Sequence, residues 1–354
     1  MQQVKPMLDK TTFIRLALAM AAPIKRITAR TQWLEERLEL PLSDADHVQI
    51  AKALERDTRE LGDYYHWYLE KALVARELKN ATREGVLAIA TAADRTDYTQ
   101  LDHLFQDTAG LVLAIPHFGN YILAIVSLFE RYGRDREIGV FYAPSESNKG
   151  NEVFDFIYEL CFRSNPASRT RILHANRAGL VDAMKLLRAG GALLMLPDVS
   201  LNTADAYVVP FLGRTFDAML GSASLARRTN SRLVPVMPIQ TGNLAFQIQH
   251  ADPIRPTGPA AAAVSPYADL AADYAATVRM FATFEKWMAG HTYMWQPIRE
   301  HFVKSAPYQE LDPQGLEKLW PTFLMDPRVQ ASDQANVIEL RAPHTTESTA
   351  STLP

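Results

Sequence analysis

The stretch GLVLAIPHFGNYILAIVSLFERY, Gly110 to Tyr132, joins two different periodicities. Its first part, GLVLAIP, is a short unbroken apolar run, the pattern of a strand buried on both faces. From Tyr121 to Tyr132 the apolar residues recur at helical spacing, so the chain turns from strand to helix within a few residues. The turn holds Pro116, His117, Gly119 and Asn120: a breaker, a titratable ring, a permissive backbone position and a helix-capping residue. A buried strand leading straight into a helix is half of a βαβ unit.

The same alternation continues downstream. Strands are predicted at EIGVFYAP (Glu137 to Pro144), RILHA (Arg171 to Ala175), GALLMLP (Gly191 to Pro197), RLVPVMPIQ (Arg232 to Gln240) and NLAFQIQHA (Asn243 to Ala251). Helices are predicted over Glu152 to Phe162, Leu180 to Arg188, Ala223 to Arg228 and Tyr267 to Ala289. Strands separated by helices indicate an α/β fold with a mostly parallel sheet flanked by helices. The last two strands, joined through Thr241-Gly242, read as an antiparallel hairpin at the sheet edge.

Upstream, residues 1–100 read as a helical N-terminal layer, residues 101–306 as the α/β core and residues 307–354 as an extension whose polar end, PHTTESTASTLP, is expected to be disordered. Tyr64, Tyr65, Trp67 and Tyr68 are too dense for one helical stripe; they either pack in the core or reach a cleft. LALAMAAPI (Leu16 to Ile24) is far short of the ~20 apolar residues that span a bilayer. It reads as a packed amphipathic helix or as one lying in a membrane interface, and Arg15 interrupts what a signal peptide would need.

With 37 basic and 40 acidic residues among 354, the chain lacks the basic excess a general nucleic-acid binder requires. Cys161 is the only cysteine, so no intrachain disulfide forms, and its neighbours FDFIYELCF point to inert core packing. There is no P-loop, no dinucleotide-binding glycine motif, and no zinc motif of the His-Glu-x-x-His or paired-cysteine type, so no cofactor or metal is expected. LGSAS (Leu220 to Ser224) resembles a nucleophile elbow only loosely, because no strand is predicted directly before it.

In an open parallel sheet, ligands bind beyond the carboxyl ends of the strands, where loops lead into helix N-termini. His117 lies at such a point. There it can accept a proton near neutral pH, with helix N–H groups close by for an oxyanion, or it can simply hydrogen-bond a neighbouring loop. Local sequence leaves both open.

Five ordered blocks add to this. HFGNYI (His117 to Ile122) resembles the His-x-Gly-Asn-Trp-Glu form of an H-x4-D/E motif. FYAPSESNKGNEVFDFIY, LLMLPD (Leu193 to Asp198), VVPFLGRTFDAMLGSASLARRTNSRLVPVMPI and HTYMWQPIR follow in the order of further family blocks, over roughly residues 45–303. Together they resemble the lysophospholipid acyltransferase superfamily, in particular the bacterial lipid A late acyltransferases and the phosphatidylinositol mannoside acyltransferases. The resemblance implies an acyltransferase that takes an acyl group from a CoA or acyl-carrier-protein thioester to a lipid or small-molecule acceptor. The single cysteine and the lack of a membrane-spanning run suggest a cytoplasmic chain or one peripheral at the inner membrane. His117 would be the general base, Gly119 and Asn120 would shape the substrate turn, and Arg214 would meet a substrate phosphate or carboxylate.

The chain departs from the pattern at position 122, where the motif acid is replaced by Ile122, and Val208 stands where some relatives carry a second acid. Three accounts stay open. A carboxylate from another strand end takes over, with Asp198 first and Glu146 second; the acceptor is an amine and needs a weaker base; or the chain has kept binding and lost catalysis. Asp198 also has a plain structural reading, as a loop cap or a partner of Arg214. Arg227 and Arg228, late in a helix, suit the macrodipole, and Trp295 reads as core.

Overall fold

A computed structural model of the chain describes residues 44–54, 67, 70, 71, 74, 75, 77–144, 152–163, 165–199, 206–242, 244–256 and 268–304. In chain order its elements are α1 (Asp44–Ala53), α2 (Arg83–Ala93), α3 (Thr99–Gln106), β1 (Leu111–Ala114), α4 (Tyr121–Tyr132), β2 (Ile138–Tyr142), α5 (Glu152–Tyr158), β3 (Thr170–His174), α6 (Arg177–Arg188) and β4 (Ala192–Met195). There follow β5 (Ala206–Phe211), β6 (Arg214–Met219), α7 (Gly221–Arg228), β7 (Arg232–Gln240), β8 (Phe246–His250) and α8 (Ala268–Met288). Trp67, Glu70 and Lys71, each helical, precede α2.

Six strands form one sheet in the order β3-β2-β4-β1-β7-β8. All neighbours are parallel except β7 and β8, which pair antiparallel with β8 at the edge. All four residues of β1 are buried, as its unbroken apolar run predicts. Because side chains alternate along a strand, β1 feeds two cores. Val112 and Ala114 pack with α6, α7 and α8, while Leu111 and Leu113 pack with α2, α4 and α5. The core is thus a sheet between two helical layers.

The order of strands defines where a ligand crevice opens. From β1 the chain passes through α4 to β2, on one side; from β4 it passes through α7 to β7, on the other. The boundary between β1 and β4 is therefore a topological switch point, the place where open α/β sheets bind ligands.

Two sequence expectations are corrected. No element was predicted over residues 206–219, yet β5 and β6 form a separate two-stranded hairpin. Pro210 breaks the look of a strand, but it sits in a two-stranded ribbon where one missing N–H is tolerated. The turn Leu212-Gly213 has φ of 50° and 70°, the primed geometry that suits a hairpin. Strand β6 ends at Met219, just before α7, so the segment Leu220 to Ser224 does follow a strand after all; Ser222 is buried in the first turn of α7.

Cys161 is buried, and burial pushes its thiol up to about 11, which suits inert packing. Trp67 lies in the core. Tyr64, Tyr65, Tyr68, Glu146, Leu16 to Ile24 and the extension after residue 304 lie outside the described residues. Among the described residues no helix is long and apolar enough to cross a membrane.

Candidate active site

Register builds the centre of the site. Ala114 ends β1 opposite Met195, which ends β4. His117 and Asp198 each lie three residues beyond those paired ends, so two parallel strands deliver them to the same level above the switch point. The Asp198 carboxylate is fully buried and bridges the turn. Its Oδ1 lies 2.8 Å from His117 Nδ1, and its Oδ2 accepts the His117 backbone N–H at 2.7 Å. Oδ2 also accepts the indole Nε1–H of Trp295 at 2.7 Å. A carboxylate facing Nδ1 keeps the ring proton there and leaves Nε2 with its lone pair. The His117 side chain is 19% exposed, so it is reachable from outside while its acid is not.

Of the two acids named from sequence, Asp198 meets His117, and Glu146 is outside the described residues. Ile122, in the motif acid's place, is the second residue of α4, half-buried and packed against the core.

The neighbouring turn is held by backbone contacts. Gly119 has φ +53°, in the left-handed region, and a Cβ there would come within 3.3 Å of the Pro238 carbonyl. Its N–H donates to the Met294 carbonyl at 3.1 Å, and the Gln296 N–H donates to the His117 carbonyl at 2.9 Å. Tyr121 stands edge-on to the His117 ring, with centroids 5.0 Å apart. Burial, with the Asp198 charge adding to it, pushes the Tyr121 hydroxyl up to about 12 against a contact with Gln296.

Asn120 occupies the N-cap position of α4 but does not cap it with its side chain, contrary to the sequence expectation. Its Nδ2 donates instead to Glu70 Oε1 at 3.3 Å and to the Leu244 carbonyl at 3.2 Å. Burial of Glu70 and two good acceptors at one spot outcompete the local cap.

Arg214 opens β6 and is buried. Its guanidinium lies over the Phe302 ring at 5.4 Å, and burial lowers its affinity for a proton. Phe302 adjoins His301, which is packed among Phe211, Phe216 and Trp295. His301 Nε2 donates to the Phe211 carbonyl at 2.8 Å. Burial pushes this imidazole down to about 4, against the Phe211 contact and helped by the Arg214 charge. Arg214, over Phe302, and Asp198, bonded to Trp295, thus each contact a member of one aromatic cluster. Arg227 is structural, as expected: it pairs with Asp269 at 2.7 Å and Asp273 at 2.8 Å. Arg299 likewise ties Asp46 of α1 at 3.1 Å.

Sequence reasoning missed Trp295, Tyr121, Glu70 and Gln240. One signal was available for Trp295: a buried indole needs an acceptor for its N–H, so a core tryptophan in a site-bearing block points to a polar partner. Among the described residues no group of three or more histidine, cysteine or acidic side chains is arranged to hold a metal.

Chemically, the arrangement can take a proton from an acceptor at His117 Nε2 while Asp198 balances the imidazolium. No curated protein matches the chain. The model of the bacterial lipid A biosynthesis acyltransferases does match, over residues 82–303, which include both His117 and Asp198, and the chain belongs to that family.

Proposed function

We propose that the chain transfers an acyl group from a CoA or carrier-protein thioester to a hydroxyl or amine acceptor, with His117 as general base and Asp198 as its acid partner. The 2.8 Å contact between His117 Nδ1 and the buried Asp198 carries this reading. His117 Nε2 takes the acceptor proton as the acceptor atom bonds to the thioester carbonyl carbon. The carbonyl electron pair moves onto oxygen, at the first turn of α4, where the Asn120 side chain is turned away from the amides. The oxyanion collapses, the C–S bond breaks, and the leaving thiolate takes the proton back from Nε2. Gly119 lets backbone approach the reacting centre, and Arg214 holds a phosphate or carboxylate of the substrate. With its acid restored from β4, the base serves a hydroxyl as well as an amine. A lipid acceptor would bring the chain to the inner membrane as a peripheral protein; a small-molecule acceptor would place it in specialised metabolism.

A screen of acyl-CoA and acyl-carrier thioesters against alcohols, amines and lipid acceptors, read as thiol release and acylated product, tests the reading. Wild type is expected to turn over at least one pair, and His117→Ala to fold normally and lose that turnover. Full turnover by folded His117→Ala overturns the mechanism. Thioester binding with no transfer to any acceptor would favour a chain that only binds acyl donors.

A further inference from the structure

Glu70 is a fully buried carboxylate that the proposed chemistry does not use. It comes from the helical segment before α2 and meets donors from three other places in the chain. Asn120 Nδ2 reaches Oε1 at 3.3 Å, Gln240 Nε2 at the end of β7 reaches Oε2 at 3.2 Å, and the Leu244 backbone adds a third contact. Burial pushes the Glu70 carboxyl up, and these three donors oppose it. Burying a carboxylate costs several kcal/mol unless its hydrogen bonds compensate. A leucine could fill the same volume without that cost. What the acid alone gains here is a grip on Asn120, three residues after His117.

The opposite side of the same turn is already held, by Asp198 on the His117 N–H, Met294 on Gly119 and Gln296 on the His117 carbonyl. Without Glu70 the Asn120 amide keeps only the Leu244 carbonyl on this side, one contact instead of two against the pull of its local capping role on α4. We propose that Glu70 is a positioning residue for the reaction, acting through Asn120 to hold the turn that carries His117. The inference rests on His117 being the base. It concerns where the imidazole stands, so its loss is expected in kcat rather than in binding, and a misplacement of about 1 Å can cost about 100-fold.

The test uses the full chain and the best donor–acceptor pair from the screen. Glu70→Ala is expected to lower kcat about 10- to 100-fold with KM within about threefold. Glu70→Gln keeps an acceptor for Asn120, and once the Gln240 amide flips, its own amide N–H can donate to Gln240 Oε1, a buried atom with no hydrogen-bond partner among the described residues. It should stay within about threefold of wild type. A swap guards against variants that fail to fold. Asn120→Asp sets two carboxylates against each other and should be slow; E70Q/N120D restores one amide–carboxylate bond and should recover at least about tenfold over N120D. Each rate is taken per folded molecule, from circular dichroism and thermal melts.

Glu70→Ala with wild-type kcat, Glu70→Gln as slow as Glu70→Ala, or a swap no faster than Asn120→Asp would overturn the inference. If His117→Ala is inactive while every Glu70 variant is fully active, only the Glu70 inference falls. If His117→Ala stays active, the reading beneath it falls first.

Discussion

Trp295 donates its indole N–H to the Asp198 oxygen that also accepts the His117 backbone N–H, leaving the other carboxylate oxygen to His117 Nδ1. One buried acid is thereby engaged on both oxygens by three donors or ring contacts. The indole arrives from 97 residues after the acid. It is the third member of a His–Asp–Trp chain of contacts, and its ring also closes the aromatic cluster beside Arg214.

Asp198→Asn should leave the fold intact and lower kcat by about 100- to 10,000-fold. The Asn oxygen can still accept from Trp295 and the His117 N–H, which turns its NH2 towards Nδ1. That forces the ring proton onto Nε2, where it blocks base action. Steady-state kinetics beside a thermal melt measure both; unchanged kcat in a folded variant would remove Asp198 from the mechanism.

Trp295→Phe keeps most of the buried ring and deletes one donor. Leaving a buried carboxylate short of one hydrogen bond costs about 1–3 kcal/mol. Denaturant melts should show that loss, and kcat should fall about 3- to 30-fold as Asp198 gains freedom to turn. Wild-type kcat with lowered stability would make Trp295 a core residue only.

Arg214→Ala should raise KM for a phosphate-bearing substrate about tenfold or more, and lower kcat less, if the guanidinium holds that group equally in ground and transition states. Arg214→Lys should recover little, because an ammonium cannot reproduce the planar fork. Unchanged KM for every such substrate would cancel the role.

His301 gives a pH signature of its own. Its folded-state value of about 4 lies below the ordinary 6.5, so between these values the unfolded chain binds a proton that the fold does not. The stability linked to neutral His301 is complete above about pH 6.5 and drains away as pH falls towards 4. From pH 7 to pH 5 this amounts to about 2 kcal/mol. His301→Gln can still donate to the Phe211 carbonyl without titrating, so its denaturant midpoint should fall less than that of wild type over the same interval. Equal losses would show that His301 is not the group responsible.

The sheet was largely legible because its strands are buried on both faces. The apolar runs at β1, β4 and β7 could hardly be anything else, and α4 begins and ends at the predicted Tyr121 and Tyr132. The β5–β6 hairpin was not legible, since its strands are only half-buried and Pro210 interrupts β5. His117 was legible as a residue at a strand end. Asp198 could be named as a candidate, but its contact with His117 depends on β4 lying beside β1, and strand order is a long-range property that no local pattern encodes. The same limit hid Glu70 and Gln240, which are 170 residues apart and meet only in the fold. Asn120 shows the converse error: a correct local rule, side-chain capping, lost to a partner 50 residues away.

The insertion of β4 between β1 and β2 has a consequence for how the molecule matures. During synthesis β1, β2 and β3 are all made before β4, yet β1 and β2 are not neighbours in the finished sheet. They must stay apart until the later strand slots between them. His117 therefore has no acid until that strand arrives, and the acid has no base until it lands. A nascent or trapped chain with an incomplete sheet holds both residues as inert side chains, so the onset of acyl transfer in a refolding experiment would time the closing of the sheet itself.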